Sequence, residues 1–209
     1  LTYETLEEML DVKPKEEKLF IGIPREDSFN ENRIALSPEA VGVIVANGHD
    51  VVMETKAGDG ANFSDKNYSD AGAKIVYDKK EVFNADVIVK SAPVSEEECE
   101  LLKQNQYIIS PIHVSVMKKS IIEKMMVKKI TALSFENLKD GSGHNPIVRS
   151  MSEIAGSAVI LIAGQYLSNA NNGKGVLLGG ISGIPPTKVI IIGAGIVGEY
   201  AARTALAMG

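Results

Sequence analysis

Gly193-Ala-Gly195-Ile-Val-Gly198 carries the most specific chemistry in this chain. It follows a buried-strand pattern at 188–192 and opens a helix pattern at 199–208, which is the context a dinucleotide fingerprint requires. Gly193 permits the tight turn, Gly195 leaves no side chain to block a pyrophosphate, and Gly198 lets helix and strand pack closely. The helix start offers N–H groups and a partial positive charge to phosphates. The alternative is a glycine-rich turn that binds nothing. The acidic residue that would hold the ribose hydroxyls belongs about 20 residues further on. That lies past Gly209, so the motif does not separate NAD from NADP.

Three side chains offer chemistry for a substrate. The guanidinium fork of Arg33, in a loop before a capped helix, suits a carboxylate bidentately; by composition alone, a loop arginine is a solvated charge. His113 closes a strand pattern, on the edge where parallel sheets carry their sites. Its imidazole can move a proton near neutrality, or simply bond a backbone group. Lys90 ends the Val87-Ile-Val strand, where an ammonium can neutralise a carboxylate or polarise a carbonyl. Glu136, at another strand end, is a second-tier candidate. His49 and His144 read as turn residues, Cys99 as inert, and Glu96-Glu-Glu98 as the solvated first turn of a helix, favourable against its dipole.

The elements that position these residues alternate. Short apolar runs at 19–23, 49–54, 74–77, 86–91, 106–112 and 130–135 read as strands. Between them, helix patterns fall at 38–47, 64–72, 79–84, 95–104 and 116–128, the first announced by Ser37-Pro38-Glu39. This predicts an α/β fold: a doubly wound, mostly parallel, Rossmann-like sheet covered on both faces. A small-residue-rich helix at 150–168 and a Gly/Asn/Pro-rich loop follow. The expected division is a charged arm at 1–18 with a short helix at 5–10, an α/β domain at 19–149, a linking helix and loop at 150–187, and the start of a Rossmann dinucleotide-binding domain at 188–209. A lone strand–helix pair cannot bury its faces. The chain starts at Leu1 and stops one helix past the glycine turn, so we expect a fragment of a longer protein.

Composition narrows the classes. At ~150 residues per domain, 209 residues make about 1.4 domains. With 44% hydrophobic and 23% charged residues, the chain is an ordinary globular one. A net charge of −5 argues against nucleic-acid binding. The one cysteine excludes an internal disulfide and a cysteine zinc site, no metal is expected, and a reducing, cytoplasmic setting fits. The longest strongly apolar stretch, 154–164, is short of the ~20 residues of a membrane helix.

Several segments in order resemble one family: Gly22-Ile-Pro-Arg-Glu, Asn30-Glu-Asn-Arg33-Ile-Ala-Leu-Ser-Pro38, Gly58-Asp-Gly-Ala-Asn-Phe-Ser-Asp65, Ala71-Gly-Ala73, Ser150-Met-Ser-Glu-Ile-Ala-Gly156 and Gly179-Gly-Ile-Ser-Gly-Ile-Pro. The resemblance is to alanine dehydrogenase and to the alpha subunit of proton-translocating nicotinamide nucleotide transhydrogenase. His113, in Ser-Pro-Ile-His, and Met151-Ser-Glu favour the dehydrogenase side. The resemblance implies a substrate domain followed by a nucleotide domain. It also implies a homo-oligomer and NAD-dependent oxidative deamination of L-alanine to pyruvate and ammonium. Arg33, alone or with Lys90, would hold the carboxylate. His113 would act as acid and base, and Ser152 would bond the cofactor beside Gly193, Gly195 and Gly198; a helix-cap role for Ser152 is compatible. The family also uses an aspartate that this chain does not reach, so the chain alone is expected to be inactive. One departure stands out. Family members read Lys-x-Lys-x-Pro where this chain reads Lys90-Ser-Ala-Pro93, so either Lys90 has shifted into the substrate-lysine role or Ala92 has replaced it. A transhydrogenase subunit, which would bring a membrane partner, a dehydrogenase of another amino acid, and a non-catalytic assembly half remain the alternatives.

Overall fold

The computed structural model describes residues 18–28 and 30–209. All of the charged arm except Lys18, with the helix expected at 5–10, lies outside the described residues. The described chain divides into two units, which part between Leu133 and Ser134. The boundary expected near residue 150 falls inside a helix of the second unit.

In the first unit the expected alternation is realised: β1 (Phe20–Ile23), α1 (Pro38–Ala46), β2 (Asp50–Glu54), α2 (Asp65–Asp70), β3 (Lys74–Val76), α3 (Lys79–Val82), β4 (Val87–Val89), α4 (Glu96–Leu101), β5 (Tyr107–Ser110), α5 (Lys119–Val127) and β6 (Thr131–Ser134). The strands form one sheet in the order β3-β2-β1-β4-β5-β6. Pairing is parallel from β3 through β5. Serines 37, 64 and 95 each accept a backbone N–H at a helix start, the last two as full capping boxes. Alternate residues of each strand enter opposite cores. Val51 and Met53 join Val41 and Tyr68 on one face. Val52 and Ile88 join Val82, Cys99 and Met125 on the other. Gly22 is required by a close approach, since a Cβ there would lie 2.5 Å from the Val82 carbonyl oxygen.

The elements are shorter than their apolar runs. β5 stops at Ser110 because Pro111 has no N–H for the ladder. His113 is therefore three residues past the strand, not its last residue. α5 starts at Lys119 because the amides of Val116 and Met117 turn back onto the His113 carbonyl, at 3.0 and 2.9 Å.

The second unit is built on α6 (Pro146–Leu167) and α7 (Ile196–Ala207). α6 begins four residues earlier than expected, with Pro146 at its first position. Gly156 lets the helices touch: a Cβ there would lie 2.4 Å from the Val197 carbonyl oxygen. Ile160, Leu178 and Ala201 form the small core. The expected strand at 188–192 is not formed: no strand pairs with it among the described residues. Ile190 and Ile192 stand in solvent, in line with the faces a lone strand–helix pair leaves unburied. α6 also corrects the estimate of apolar length. Arg149 and Glu153 interrupt the run in sequence but pair with each other in the helix at 2.9 Å. By length and composition the 22 residues suffice to cross a membrane. Length and composition are weak grounds for a span, because core helices pass the same test.

Candidate active site

In a doubly wound sheet, ligands bind outside the carboxyl ends of the strands, where the strand order reverses. Here that point lies between β1 and β4, which pair at Ile21–Val87 and Gly22–Ile88. The chain leaving β1 carries Glu26, Asp27 and Arg33, and the chain leaving β4 carries Lys90.

Lys90 is buried at this point. Its Nζ donates to Glu26 Oε2 at 2.8 Å and to Glu98 Oε1 at 2.7 Å. Its side chain is 1% exposed, against 5% for Glu26 and 6% for Glu98. Glu26 Oε1 also accepts the amides of Ser91 and Ala92, at 2.6 and 3.2 Å. The other oxygen of Glu98 accepts the Ser95 amide at 3.0 Å. Lys79 extends the network. It bonds Asp27 and lies 3.6 Å from Glu98 and 3.9 Å from Glu54. Burial opposes the charge of Lys79, but the Asp27 hydrogen bond and the nearby glutamates raise its pKa above the ordinary lysine range. Burial likewise opposes the Asp27 carboxylate, and Lys79 still holds its pKa low.

This corrects one expectation. Glu98 is not solvated but buried. The signal was present, because Ser95-x-x-Glu98 is the capping-box spacing and turns that carboxylate back over the helix start. Two of the three donors of the Lys90 ammonium are taken by Glu26 and Glu98. Glu26 enters the sequence reading only as the last residue of the Gly22-Ile-Pro-Arg-Glu segment, with no role of its own. The sheet order brings it to Lys90.

A cavity of about 700 Å³ opens beside the network, within the range of small-molecule sites. Lys79, Lys90, Glu98 and His113 line it, with Val94 and Met117 among its apolar walls. Lys90 and His113 thus share one pocket. Arg33 is not among its lining residues. It is exposed, and its Nε and Nη2 grip Glu31 at 2.8 and 2.5 Å. That hydrogen bonding raises the Arg33 pKa and lowers that of Glu31. His49 accepts the Leu19 amide at 3.3 Å. His144 sits in the Asp140 turn, Glu136 lies in a 3-10 turn, and burial pushes the Cys99 thiol pKa up.

In the second unit, Ser152, Gly193, Gly195 and Gly198 line a cavity of about 550 Å³. Gly193 has φ 112°, in the glycine-favouring region. A Cβ on Gly198 would lie 2.3 Å from the Gly193 carbonyl oxygen, whereas one on Gly195 would project into open space, with no atom within 4 Å. Gly195 is the N-cap of α7, which has no side-chain cap. An open cradle at an uncapped helix start fits a dinucleotide pyrophosphate.

A family model described as "Alanine dehydrogenase/PNT, N-terminal domain" matches residues 22–155, and its C-terminal-domain counterpart matches 158–209. The chain belongs to the alanine dehydrogenase/PNT family. Alanine dehydrogenase of Methanococcus maripaludis is 40% identical over 192 residues, 91% of this chain and 51% of the relative. That of Staphylococcus epidermidis is 37% identical over 90% of this chain and 51% of the relative. The chain thus spans about half the length of the curated relatives it matches. A solved L-alanine dehydrogenase superposes with TM-score 0.86 at 34% identity, covering 91% of this chain and 53% of that one. A transhydrogenase from Sinorhizobium meliloti superposes with TM-score 0.78 at 26% identity, covering 91% and 56%.

Proposed function

We propose that the whole protein is an NAD-dependent alanine dehydrogenase, interconverting L-alanine with pyruvate and ammonium. The observation that carries this reading is a pocket at the carboxyl edge of the sheet holding His113, in a chain whose relatives over nine-tenths of its length are alanine dehydrogenases. His113 takes a proton from the substrate ammonium, freeing the lone pair that forms the imine, and sheds it to solvent; it then takes a proton from the water that adds and gives it to the nitrogen, which leaves as ammonium. Arg33 holds the carboxylate through its planar fork, with Glu31 fixing one edge of that fork. Gly193, Gly195 and Gly198 seat the pyrophosphate, and Ser152 bonds the cofactor nearby. A nicotinamide cofactor held there would supply the acceptor for the hydride that leaves the substrate α-carbon. NAD is preferred here as the cofactor. The protein acts in the cytoplasm as a homo-oligomer.

The test is NADH formation by the full-length protein with NAD and a panel of amino acids. A response to L-alanine supports the reading. Silence toward every amino acid, with nucleotide still bound, overturns it and moves the assignment to hydride exchange between nucleotides. The Lys90-Ser-Ala-Pro93 departure favours a second reading, a dehydrogenase of another amino acid, and the same panel decides it. The 209-residue chain alone is expected to give no robust alanine-dependent NADH.

A further inference from the structure

The ion triad at the strand reversal bears on what Lys90 does. An ammonium has three N–H donors and no acceptor. Two carboxylates take the Lys90 Nζ at 2.8 and 2.7 Å. A substrate carboxylate on the same Nζ would gather three anions around one buried cation, a costly arrangement. The two glutamates each reach further. Glu26 holds the amides of Ser91 and Ala92, and Glu98 holds the amide of Ser95. The triad therefore ties together the turn after β1, the turn after β4 and the start of α4. Lys90, Pro93 and Ser95 of these segments line the pocket that holds His113.

We infer that Glu26 is a positioning residue which, with Lys90 and Glu98, pins residues 90–93 as a wall of the pocket, and that Lys90 acts through this triad without touching the substrate. The kinetic part rests on the proposed dehydrogenase reading; the pinning rests on the geometry alone.

Two measurements on the full-length protein separate them. Lys90→Met leaves two carboxylates facing each other, and kcat/KM for the amino acid is expected to fall by about 100-fold. Adding Glu26→Gln removes one anion and keeps an acceptor for the Ser91 and Ala92 amides. The double variant is expected to return to within about tenfold of wild type. A double variant as slow as Lys90→Met overturns the positioning role and makes Lys90 a substrate contact. Amide exchange at Ser91 and Ala92 reads the pinning without any reaction, and without needing Lys90→Met to fold. Glu26→Ala should speed it by about 100-fold, and Glu26→Gln should restore it. Unchanged exchange in Glu26→Ala overturns the inference. If the wild-type protein oxidises no amino acid, the dehydrogenase reading falls, and the exchange result still decides the pinning.

Discussion

In the first unit, Lys79 of α3, Lys90 after β4, Glu98 of α4 and His113 after β5 line one pocket, and Glu26 and Asp27 after β1 bond its two lysines, because the sheet sets β4 between β1 and β5. In the second unit, one six-residue motif and Ser152 supply the glycine turn and the hydroxyl of a cavity whose other walls are apolar residues of α6, α7 and the run at 189–192. The first site depends on buried charge and long-range order. The second depends on what glycine lacks. Substitutions should therefore damage the two sites differently: side-chain chemistry in the first, close approach and open space in the second.

The sharpest contrast comes from His113→Asn. On the proposed reading, kcat should fall by about 10²–10⁴-fold while dinucleotide affinity stays at wild type. A parallel loss of both would break the separation. Next, Gly22→Ala drives a Cβ against the Val82 carbonyl in the first unit's core. It is expected to cost about 3 kcal/mol in urea unfolding. Gly195→Val should do the reverse. Nothing lies within 4 Å of its Cβ, so the melting temperature should hold, while dinucleotide affinity falls by about 100-fold, roughly 2.7 kcal/mol.

The smallest effect expected is on pH dependence. Glu31 and Asp27 have folded pKa values below their ordinary ones, through Arg33 for Glu31 and through Lys79, against burial, for Asp27. Depressed carboxylates stabilise the fold above their unfolded pKa, about pH 4, and that contribution is lost as pH falls through the folded value. The melting temperature should thus hold from pH 7 to about 4 and drop below it. Glu31→Gln should flatten that drop slightly, since its partner Arg33 is half exposed. An unchanged acid limb would show that the Glu31–Arg33 pair carries no stability.

Much of the fold was legible. The six apolar runs became the six strands, and Ser37-Pro38 began α1. Asn145-Pro146 carried the same proline signal for α6, which the small-residue pattern from Ser150 obscured. The run at 188–192 reads as a strand in any window, yet a strand exists only where another backbone pairs with it. The site residues split the same way. The turn of Gly193, Gly195 and Gly198 was readable because a glycine turn is local. The pairing of Glu26 was not, because its partner Lys90 lies 64 positions away.

The amino-acid sequence by itself determined the α/β class, the helix caps and the glycine turn, since each follows from periodicity and from backbone chemistry over a few residues. The tertiary structure alone decided that Lys90 is enclosed between Glu26 and Glu98, that Glu98 is buried, and that His113 shares their pocket. Those outcomes depend on which strands become neighbours. Strand order brings distant charges together in a medium where each must find a partner.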